Sequence, residues 1–207
     1  MSTKGKFIVL EGPEGSGKST QLVRLARRLE QEGHRVKYVR EPGGTTIGEK
    51  IREVLLDAAN GSMTVATELL LYMACRVQLV HEVILPALEE GLTVLADRFL
   101  TSTIVYQGIA GGMGEEEVRG LYRAVCGKVE PDLVVILDVP AEIGLARVKG
   151  SFDRMERKPV EFHRAVREGY LAVAKSDPDR HAVVDASRLP EEVAEGVWEE
   201  VRRRVLS

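Results

Sequence analysis

Eight residues near the start of the chain have the types and spacing of a phosphate-binding loop. Gly12-Pro13-Glu14-Gly15-Ser16-Gly17-Lys18-Ser19 satisfies the pattern G-x-x-x-x-G-K-[ST] at every fixed position. In such a loop, glycines let backbone N–H groups converge on phosphate oxygens, the lysine adds positive charge, and the hydroxyl binds Mg²⁺. A plain glycine-rich turn is the alternative, but it would require neither Lys18 nor Ser19. We therefore predict that these residues, with Thr20, bind the triphosphate of a nucleotide.

Two further polar segments follow predicted strands. Glu41-Pro42-Gly43-Gly44-Thr45 comes after the second strand, and Asp97-Arg98 comes after the third. Because ligands bind beyond the carboxyl ends of parallel strands, we expect both segments to share one cleft with the phosphate-binding loop. Arg98 could grip a second phosphate with two N–H groups, while Asp97 could orient a metal-bound water or an arginine. The alternative for Asp97-Arg98 is a surface ion pair worth ~0–1 kcal/mol and without function.

A predicted long helix carries an aromatic residue and an arginine one turn apart. Tyr72 and Arg76 lie at positions i and i+4, on one face beside an apolar stripe. Together they could stack on a flat base and donate to its carbonyl. They could equally be a partly buried tyrosine and an arginine that extends to solvent. The spacing leaves both interpretations open.

A cluster of hydroxyl and amide side chains follows Asp97-Arg98 at helical spacing. These groups could read the polar edges of a substrate, although a serine or threonine near a helix start can also be a cap. The cluster consists of Ser102, Thr103, Tyr106 and Gln107.

The segment from about 147 to 160 is dense in cations. A solvated charged loop is the usual explanation of such a run, and a mobile lid that closes over a triphosphate is the other. The phosphate-binding loop contains Glu14 and no arginine, yet an added arginine contributes ~10³–10⁵ in the rate of phosphoryl transfer, or ~4–7 kcal/mol. We therefore expect the lid to supply this charge. The cations are Arg147, Lys149, Arg154, Arg157 and Lys158.

Short apolar segments alternate with helical patterns along the whole chain. This alternation predicts an α/β fold, a five-stranded parallel sheet covered by helices on both faces, with a small mobile lid. We expect one domain over residues 1–207 that includes the lid at about 147–160. The predicted strands cover residues 7–10, 36–39, 92–96, 133–137 and 181–184.

Two of the predicted helices carry specific boundary signals. Thr46 and Glu49 have the spacing of a capping box, so a helix is expected to begin at Thr46. The long helix is expected from about residue 65 to residue 90, with a kink or shortening at Pro86.

Composition narrows the class of protein. The chain has 207 residues, 44% hydrophobic and 29% charged, as in an ordinary globular protein. A formal net charge of -3 argues against a surface that coats nucleic acid.

Cys75 and Cys126 are far apart in apolar surroundings, which favours free thiols in a reducing compartment. The N-terminal residues lead into a short strand rather than a signal peptide or membrane span, so we expect a cytoplasmic protein without membrane or nucleic-acid partners.

The ordered motifs together resemble the thymidylate kinase family, nucleoside-monophosphate kinases of the P-loop class, and the loop glutamate with a basic lid resembles its bacterial members. The resemblance covers essentially the whole chain and includes the lid tetrapeptide Asp153-Arg154-Met155-Glu156. The other matching motifs are the segments 11–20, 40–45 and 74–80, Asp97-Arg98-Phe99, Ser102-Thr103 and Tyr106-Gln107-Gly108.

The resemblance implies the P-loop kinase fold, transfer of the ATP γ-phosphoryl group to dTMP with Mg²⁺, and a homodimer that packs through long helices. At the thymine base, it implies that Tyr72 stacks and Arg76 donates to a carbonyl. Thr103, with Ser102 nearby, would read the base edge, while Tyr106 would crowd the position of a ribose 2′-hydroxyl. Glu41, Pro42 and Gln107 complete the expected acceptor pocket.

The resemblance also distributes the charged groups. Glu14 is expected near the sugar 3′-hydroxyl, Arg98 on the acceptor phosphate, and Arg52 as a second phosphate ligand. Ser19 and Asp97 are the expected metal ligands. The expected catalytic residues are Lys18, Asp97, Arg98, Arg147, Arg154 and Arg157.

Two other functions remain open at this stage. One is a P-loop kinase for a different nucleotide or for a nucleoside. The other is a non-catalytic P-loop switch protein, although the guanine-reading sequence N-K-x-D of GTPases is missing.

Overall fold

A computed structural model describes residues 5–127, 129–148 and 153–206. Its strands form one parallel sheet in the order β2-β3-β1-β4-β5, which confirms the predicted five-stranded α/β architecture. The strands are β1 (Lys6–Glu11), β2 (Val36–Arg40), β3 (Thr93–Asp97), β4 (Leu133–Asp138) and β5 (His181–Asp185).

Helices follow the strands and cover both faces of the sheet. The first five are α1 (Lys18–Gln31), α2 (Thr46–Leu56), α3 (Val65–Leu79), α4 (Leu85–Glu89) and α5 (Leu100–Thr103), with a short 3₁₀ turn at Ala58–Asn60. The others are α6 (Glu115–Cys126), α7 (Ala141–Arg147), α8 (Val160–Ser176) and α9 (Pro190–Val201). Wider π turns extend three of them, at Val80–Ile84, Ile104–Ile109 and Arg202–Leu206.

The apolar alternation of β1 divides the core into two layers. Phe7 and Val9 are buried against side chains of α3, α6 and α8, whereas Ile8 and Leu10 are buried against α1 and α9. Each fully buried side chain of this size contributes roughly 1.5–3 kcal/mol relative to exposure. Both faces of the sheet are therefore covered by apolar side chains, and the polar loops lie at the carboxyl ends of the strands.

The register of the sheet brings three polar loops to the same edge. Leu10 of β1 and Arg40 of β2 both lie opposite Asp97 of β3. The backbone N–H of Arg98 donates to Leu10 (3.0 Å), and that of Glu41 donates to Asp97 (2.9 Å). The expected convergence of these loops beyond the carboxyl ends of the strands is therefore confirmed.

The long helix is less regular than predicted. It runs as α3, a π turn over Val80–Ile84, and α4, with the N–H of Leu85 donating to the carbonyl of Val80. Pro86 has no N–H to give to the preceding turn, and its ring would clash there with a carbonyl of a regular helix. The wider turn just before Pro86 avoids that clash, so the irregularity predicted at Pro86 begins about one turn earlier.

By length and composition alone, the helical stretch Val65–Glu89 could cross a membrane, a test that the core helix of a globular protein also passes. In the structure, Leu69 and Met73 of this stretch are buried in the core. Two of its charged residues, Glu68 and Arg76, are also buried and contact polar groups of other elements. These contacts support a core helix.

The first turn of α2 confirms the predicted helix start at Thr46 but not the predicted capping box. Thr45, not Thr46, is the N-cap, because its extended backbone lets Oγ1 accept from the N–H of Gly48 at 2.9 Å. Glu49 does reach back, but its Oε1 accepts from the N–H of Gly44 at 2.7 Å. Glu49 therefore forms no capping box here, because in such a box its carboxylate would accept from the N–H of the N-cap residue itself.

Candidate active site

A cavity of about 520 Å³ lies at the carboxyl edge of the sheet. It is enclosed by the loops after β1, β2 and β3, by α3, and by part of the lid segment. All eleven predicted substrate-binding residues line it: Glu14, Glu41, Pro42, Arg52, Tyr72, Arg76, Arg98, Ser102, Thr103, Tyr106 and Gln107. We call this cavity the cleft.

The phosphate-binding loop forms one wall of the cleft. Gly15 and Gly17 have φ values of 67° and 86°, and a Cβ on Gly15 would lie 1.9 Å from the carbonyl oxygen of Gly144, so this close approach requires glycine. Lys18 is buried, and its Nζ donates to the carbonyls of Gly12 (3.0 Å) and Pro13 (2.9 Å). Burial and the nearby charge of Arg98 lower the pKa of Lys18 to about 8.

Ser19 and Asp97 form a pair of oxygen donors beside this loop. The Ser19 hydroxyl donates to Oδ2 of Asp97 at 2.8 Å, and both residues line the cleft. Mg²⁺ commonly binds through one or two protein oxygens together with waters and substrate phosphates. The pair therefore fits the predicted ion.

Arg98 is the centre of a polar network at the bottom of the cleft. Its backbone is left-handed, with φ 69°, which is uncommon for a residue with a side chain. Nη1 donates to the hydroxyls of Ser102 (3.1 Å) and Tyr170 (3.0 Å). Nη2 donates to Oε1 of Glu14 (2.8 Å) and to the hydroxyl of Tyr106 (3.3 Å). Four partners therefore fix this guanidinium within the cleft.

The loop glutamate belongs to the same network. Tyr106 donates its hydroxyl to Oε1 of Glu14 at 2.8 Å, so Glu14 accepts from two groups at once. Burial by itself would raise the pKa of Glu14, but the charges of Arg98 and Lys18 lower it to about 2. Glu14 is therefore a carboxylate that only accepts hydrogen bonds at neutral pH.

Glu11 supports this network and was missed by the sequence analysis. It is fully buried at the end of β1, and its Oε1 accepts from the N–H groups of Phe99 (2.8 Å) and Ser102 (3.0 Å). Its Oε2 accepts from the hydroxyls of Ser102 (2.5 Å) and Tyr170 (3.0 Å). Ser102 is thus inside the helix after Arg98 rather than its cap. An acidic residue that ends an otherwise apolar strand was the available signal.

Arg76 is buried within the protein, so an arginine that extends to solvent is excluded. It is 1% exposed, and its Nε and Nη2 donate to Oε2 of Glu41 at 2.8 and 2.6 Å. Nη2 also donates to the hydroxyl of Thr103 at 2.9 Å, while Nη1 lies 3.6 Å from the sulfur of Met73. Burial raises the pKa of Glu41 to about 7 against the opposing charge of Arg76.

Tyr72 on α3 and Arg52 on the adjacent helix α2 both line the cleft. Tyr72 is half-buried one turn before Arg76, and burial raises its pKa, so the hydroxyl stays protonated. Arg52 donates Nη1 to the carbonyl of Pro42 at 2.8 Å, just after the cis peptide bond between Glu41 and Pro42.

A second cavity of about 800 Å³ lies on the other side of the phosphate-binding loop. Gly15, Gly17 and Thr20 line both cavities. The far wall is formed by residues 186–190, and Arg147 donates Nη1 to the carbonyl of Ala186 at 2.9 Å. The loop therefore stands between two cavities that open on either side of it.

The predicted lid cations occupy different places. Arg147 lines the second cavity, Arg157 is exposed at the end of the turn formed by residues 154–157, and Lys149 lies outside the described residues. Arg154, another of the predicted catalytic residues, is paired with a carboxylate of α3. It is 6% exposed, lies 2.5 Å from Glu68 through Nη2, and is absent from the described lining of the cleft. A buried guanidinium requires a carboxylate partner, and Glu68 supplies it.

Sequence comparisons identify the family of the chain. A family profile described as thymidylate kinase matches residues 10–197. A thymidylate kinase of Deinococcus radiodurans is 46% identical, with 98% of each chain covered. A thymidylate kinase of Geobacter sulfurreducens is 45% identical, and the match covers 97% of this chain and 98% of the relative. A thymidylate kinase of Pelotomaculum thermopropionicum is 50% identical, and the match covers 89% of this chain and 87% of the relative. With a phosphate-binding loop between two cavities and matches over nearly its whole length, the chain belongs to the thymidylate kinase family.

Proposed function

We propose that the protein transfers the γ-phosphoryl group of ATP to dTMP, giving dTDP and ADP, as a step toward dTTP. The observation that carries this proposal is the phosphate-binding loop between two cavities. One cavity can take the donor and the other the acceptor, so both terminal phosphates would meet at Lys18 and Arg98. Membership of a kinase family supports nucleotide-dependent phosphoryl transfer.

The end of the cleft around Arg76 suits a thymine base. Tyr72 can stack on a flat ring, and Nη1 of Arg76 is the edge of the guanidinium that Glu41 and Thr103 do not occupy. That edge can donate to a base carbonyl. The Thr103 hydroxyl accepts from Arg76, so its own proton is available to the base edge.

The bottom of the cleft suits a deoxyribose phosphate. Tyr106 packs between the rings of Phe162 and Tyr170, which gives it little room to move away from a ribose 2′-hydroxyl. Glu14 can accept from the sugar 3′-hydroxyl, and Arg98 can bind the acceptor phosphate. In this role Arg98 would exchange part of its contact with Glu14 for phosphate oxygens. Arg52 can add a second contact.

Transfer requires positioning and positive charge, and no covalent intermediate, because the acceptor phosphate is itself the nucleophile. Lys18 and Arg98 would neutralise the donor and acceptor phosphates, and Ser19 with Asp97 would hold Mg²⁺. When bound, that ion neutralises charge on the donor phosphates. Arg147 and Arg157 are the proposed additional cations at the donor.

The second cavity is the proposed site of the adenosine part of ATP. It adjoins the phosphate-binding loop and is closed on one side by residues 186–190, where the chain leaves β5. The guanidinium of Arg147 is held beside this cavity by the carbonyl of Ala186 and can pack on a flat base.

A panel of nucleoside monophosphates assayed with ATP and Mg²⁺ tests the function. We expect dTMP to give the highest kcat/KM, and the Lys18→Met variant to be inactive on all of them. A clear preference for another monophosphate or for a nucleoside would identify a different P-loop kinase. Nucleotide binding without transfer to any acceptor would favour a switch protein.

We also propose that the protein is a cytoplasmic homodimer. Apolar side chains on the adjacent helices α2 and α3 support the dimer, because Leu70, Ile47 and Val54 are 58%, 52% and 45% exposed. Light scattering on the purified protein tests it: we expect twice the mass of one chain, and Leu70→Glu should lower that mass. A monomer at micromolar concentration would contradict the proposal.

A further inference from the structure

Glu68 is a buried carboxylate at the back of the cleft that the proposed reaction does not use directly. It lies on α3, one turn before Tyr72, and is 5% exposed. Its Oε1 accepts from Nε2 of Gln107 at 2.6 Å, and its Oε2 lies 2.5 Å from Nη2 of Arg154. The Nη2 hydrogens are not aligned with that oxygen, so the contact is an ion pair rather than a directed hydrogen bond. One carboxylate thus joins the acceptor pocket to the lid segment.

Arg154 is bound to two helices at once. Its Nε donates to the carbonyl of Leu55 at 2.8 Å, and its backbone N–H donates to that of Leu56 at 3.3 Å. Both carbonyls belong to the last turn of α2, whereas Glu68 belongs to α3. Because arginine keeps its charge at any ordinary pH, its burial depends on these acceptors.

The residues beside Arg154 face the opposite way, into the cleft. Asp153, Met155 and Glu156 all line it, and Met155 is also packed in the core. Oδ1 of Asp153 accepts from the N–H groups of Met155 (2.7 Å) and Glu156 (2.9 Å), which holds these residues in one compact turn. Anchoring Arg154 therefore fixes a wall of the acceptor cavity, formed by residues 153–156.

Glu68 also sets the orientation of an amide in the cleft. A carboxylate can only accept, so the NH₂ group of Gln107 must point toward Glu68. The amide oxygen of Gln107 is then left as an acceptor for a donor group on the ligand.

We propose that Glu68 is a positioning residue of the acceptor site, which holds the 153–156 wall through Arg154 and sets the amide of Gln107. Arg154 acts through this anchorage and not on the transferring phosphoryl group. The kinetic part of the inference rests on the proposed function, whereas the anchorage itself does not.

Steady-state kinetics separate anchorage from catalysis. We expect Glu68→Gln and Arg154→Met each to raise the KM for dTMP about tenfold, because each breaks the ion pair that holds the 153–156 wall, with kcat within about threefold. The KM for ATP should not change. A fall in kcat of about a hundredfold or more in Arg154→Met, at an unchanged KM for dTMP, would identify Arg154 as a catalytic cation instead.

The double variant tests whether the two residues act as one unit. In Glu68→Gln/Arg154→Met, the KM for dTMP should rise no further than in the worse single variant, because both changes break the same contact. If the increases in KM of the two single variants multiply in the double variant, the proposal is overturned. A double variant with the wild-type KM for dTMP would overturn it as well. The double variant also removes both charges together, so it can fold even if a single variant is left with an unpaired buried charge.

Hydrogen exchange tests the anchorage without any substrate. The amides of Met155 and Glu156 should exchange about tenfold faster in the double variant than in the wild type, as expected for local opening. If the two amides exchange at the same rate in the double variant and the wild type, the anchorage is overturned, whatever substrate the enzyme phosphorylates. If the wild type does not phosphorylate dTMP, only the proposed function is contradicted. Val197→Ala, which truncates a buried residue on the other face of the sheet, is the control for general destabilisation.

Discussion

Arg98 and Glu14 form an ion pair at the bottom of the cleft, with Nη2 and Oε1 separated by 2.8 Å. Both side chains are largely buried, 15% and 18% exposed. The pair links the loop that is expected to bind the donor to the arginine that is expected to bind the acceptor. The ion pair therefore connects the proposed donor site and the proposed acceptor site directly.

Acid should weaken the folded state through Glu14. Its pKa is about 2 in the folded protein against 4.5 ordinarily, so its contribution to stability is complete above pH 4.5 and is lost as the pH falls toward 2. We expect the difference in unfolding free energy between wild type and Glu14→Gln to shrink by about 2 kcal/mol between pH 6 and pH 3. Urea titrations followed by circular dichroism measure it. A difference independent of pH would contradict the low pKa.

Lys18→Met should abolish turnover while leaving the fold intact. The aliphatic stem keeps its volume, but the positive charge beside the phosphates is lost, and kcat should fall at least about a hundredfold. Circular dichroism and Tm report the fold. Lys175→Met, on the exposed side of α8, is the matched control and should retain activity. Turnover above about a tenth of wild type in Lys18→Met would remove the lysine from the mechanism.

The phosphate-binding loop could be predicted from sequence because its fixed residues are adjacent along the chain. The strands and the shared cleft followed from apolar periodicity and from the way parallel strands end together. These features depend on local pattern and on rules that hold for any parallel sheet.

The supporting contacts could not be predicted, because their partners are distant in the chain. Glu11 and Tyr170 are 159 residues apart, yet their side chains lie 3.0 Å from each other. The same holds for Glu68 and Arg154, whose side chains are both buried and form an ion pair. Residue type alone does not reveal whether an arginine faces a ligand or a carboxylate.

Arg76→Lys should weaken the acceptor site selectively. Lysine keeps the charge but cannot donate to Glu41 and Thr103 while also offering a third N–H edge to a base. We expect the KM for dTMP to rise about tenfold or more, with the KM for ATP changed by less than about threefold. Initial rates at varied dTMP and varied ATP measure both. Equal changes in the KM for dTMP and the KM for ATP would show that Arg76 is not part of the base site. The Tm of the variant reports any loss of stability.

Tyr106 should exclude ribose by bulk rather than through its hydroxyl. Tyr106→Phe loses the hydrogen bonds to the charged groups of Glu14 and Arg98, worth about 1.5–3 kcal/mol each, but keeps the ring beside Phe162 and Tyr170. The ratio of kcat/KM for dTMP to that for its ribonucleotide should then stay within about threefold of wild type.

Tyr106→Ala removes the ring and is the discriminating variant. Because the vacated volume can take a 2′-hydroxyl, we expect it to lower the same ratio by at least about tenfold, mainly by improving turnover of the ribonucleotide. Competition between the two nucleotides in one reaction measures the ratio directly. If the Ala variant rejects the ribonucleotide as strongly as wild type, a group other than the Tyr106 ring must read the sugar, and the Glu14 carboxylate beside it becomes the next residue to test.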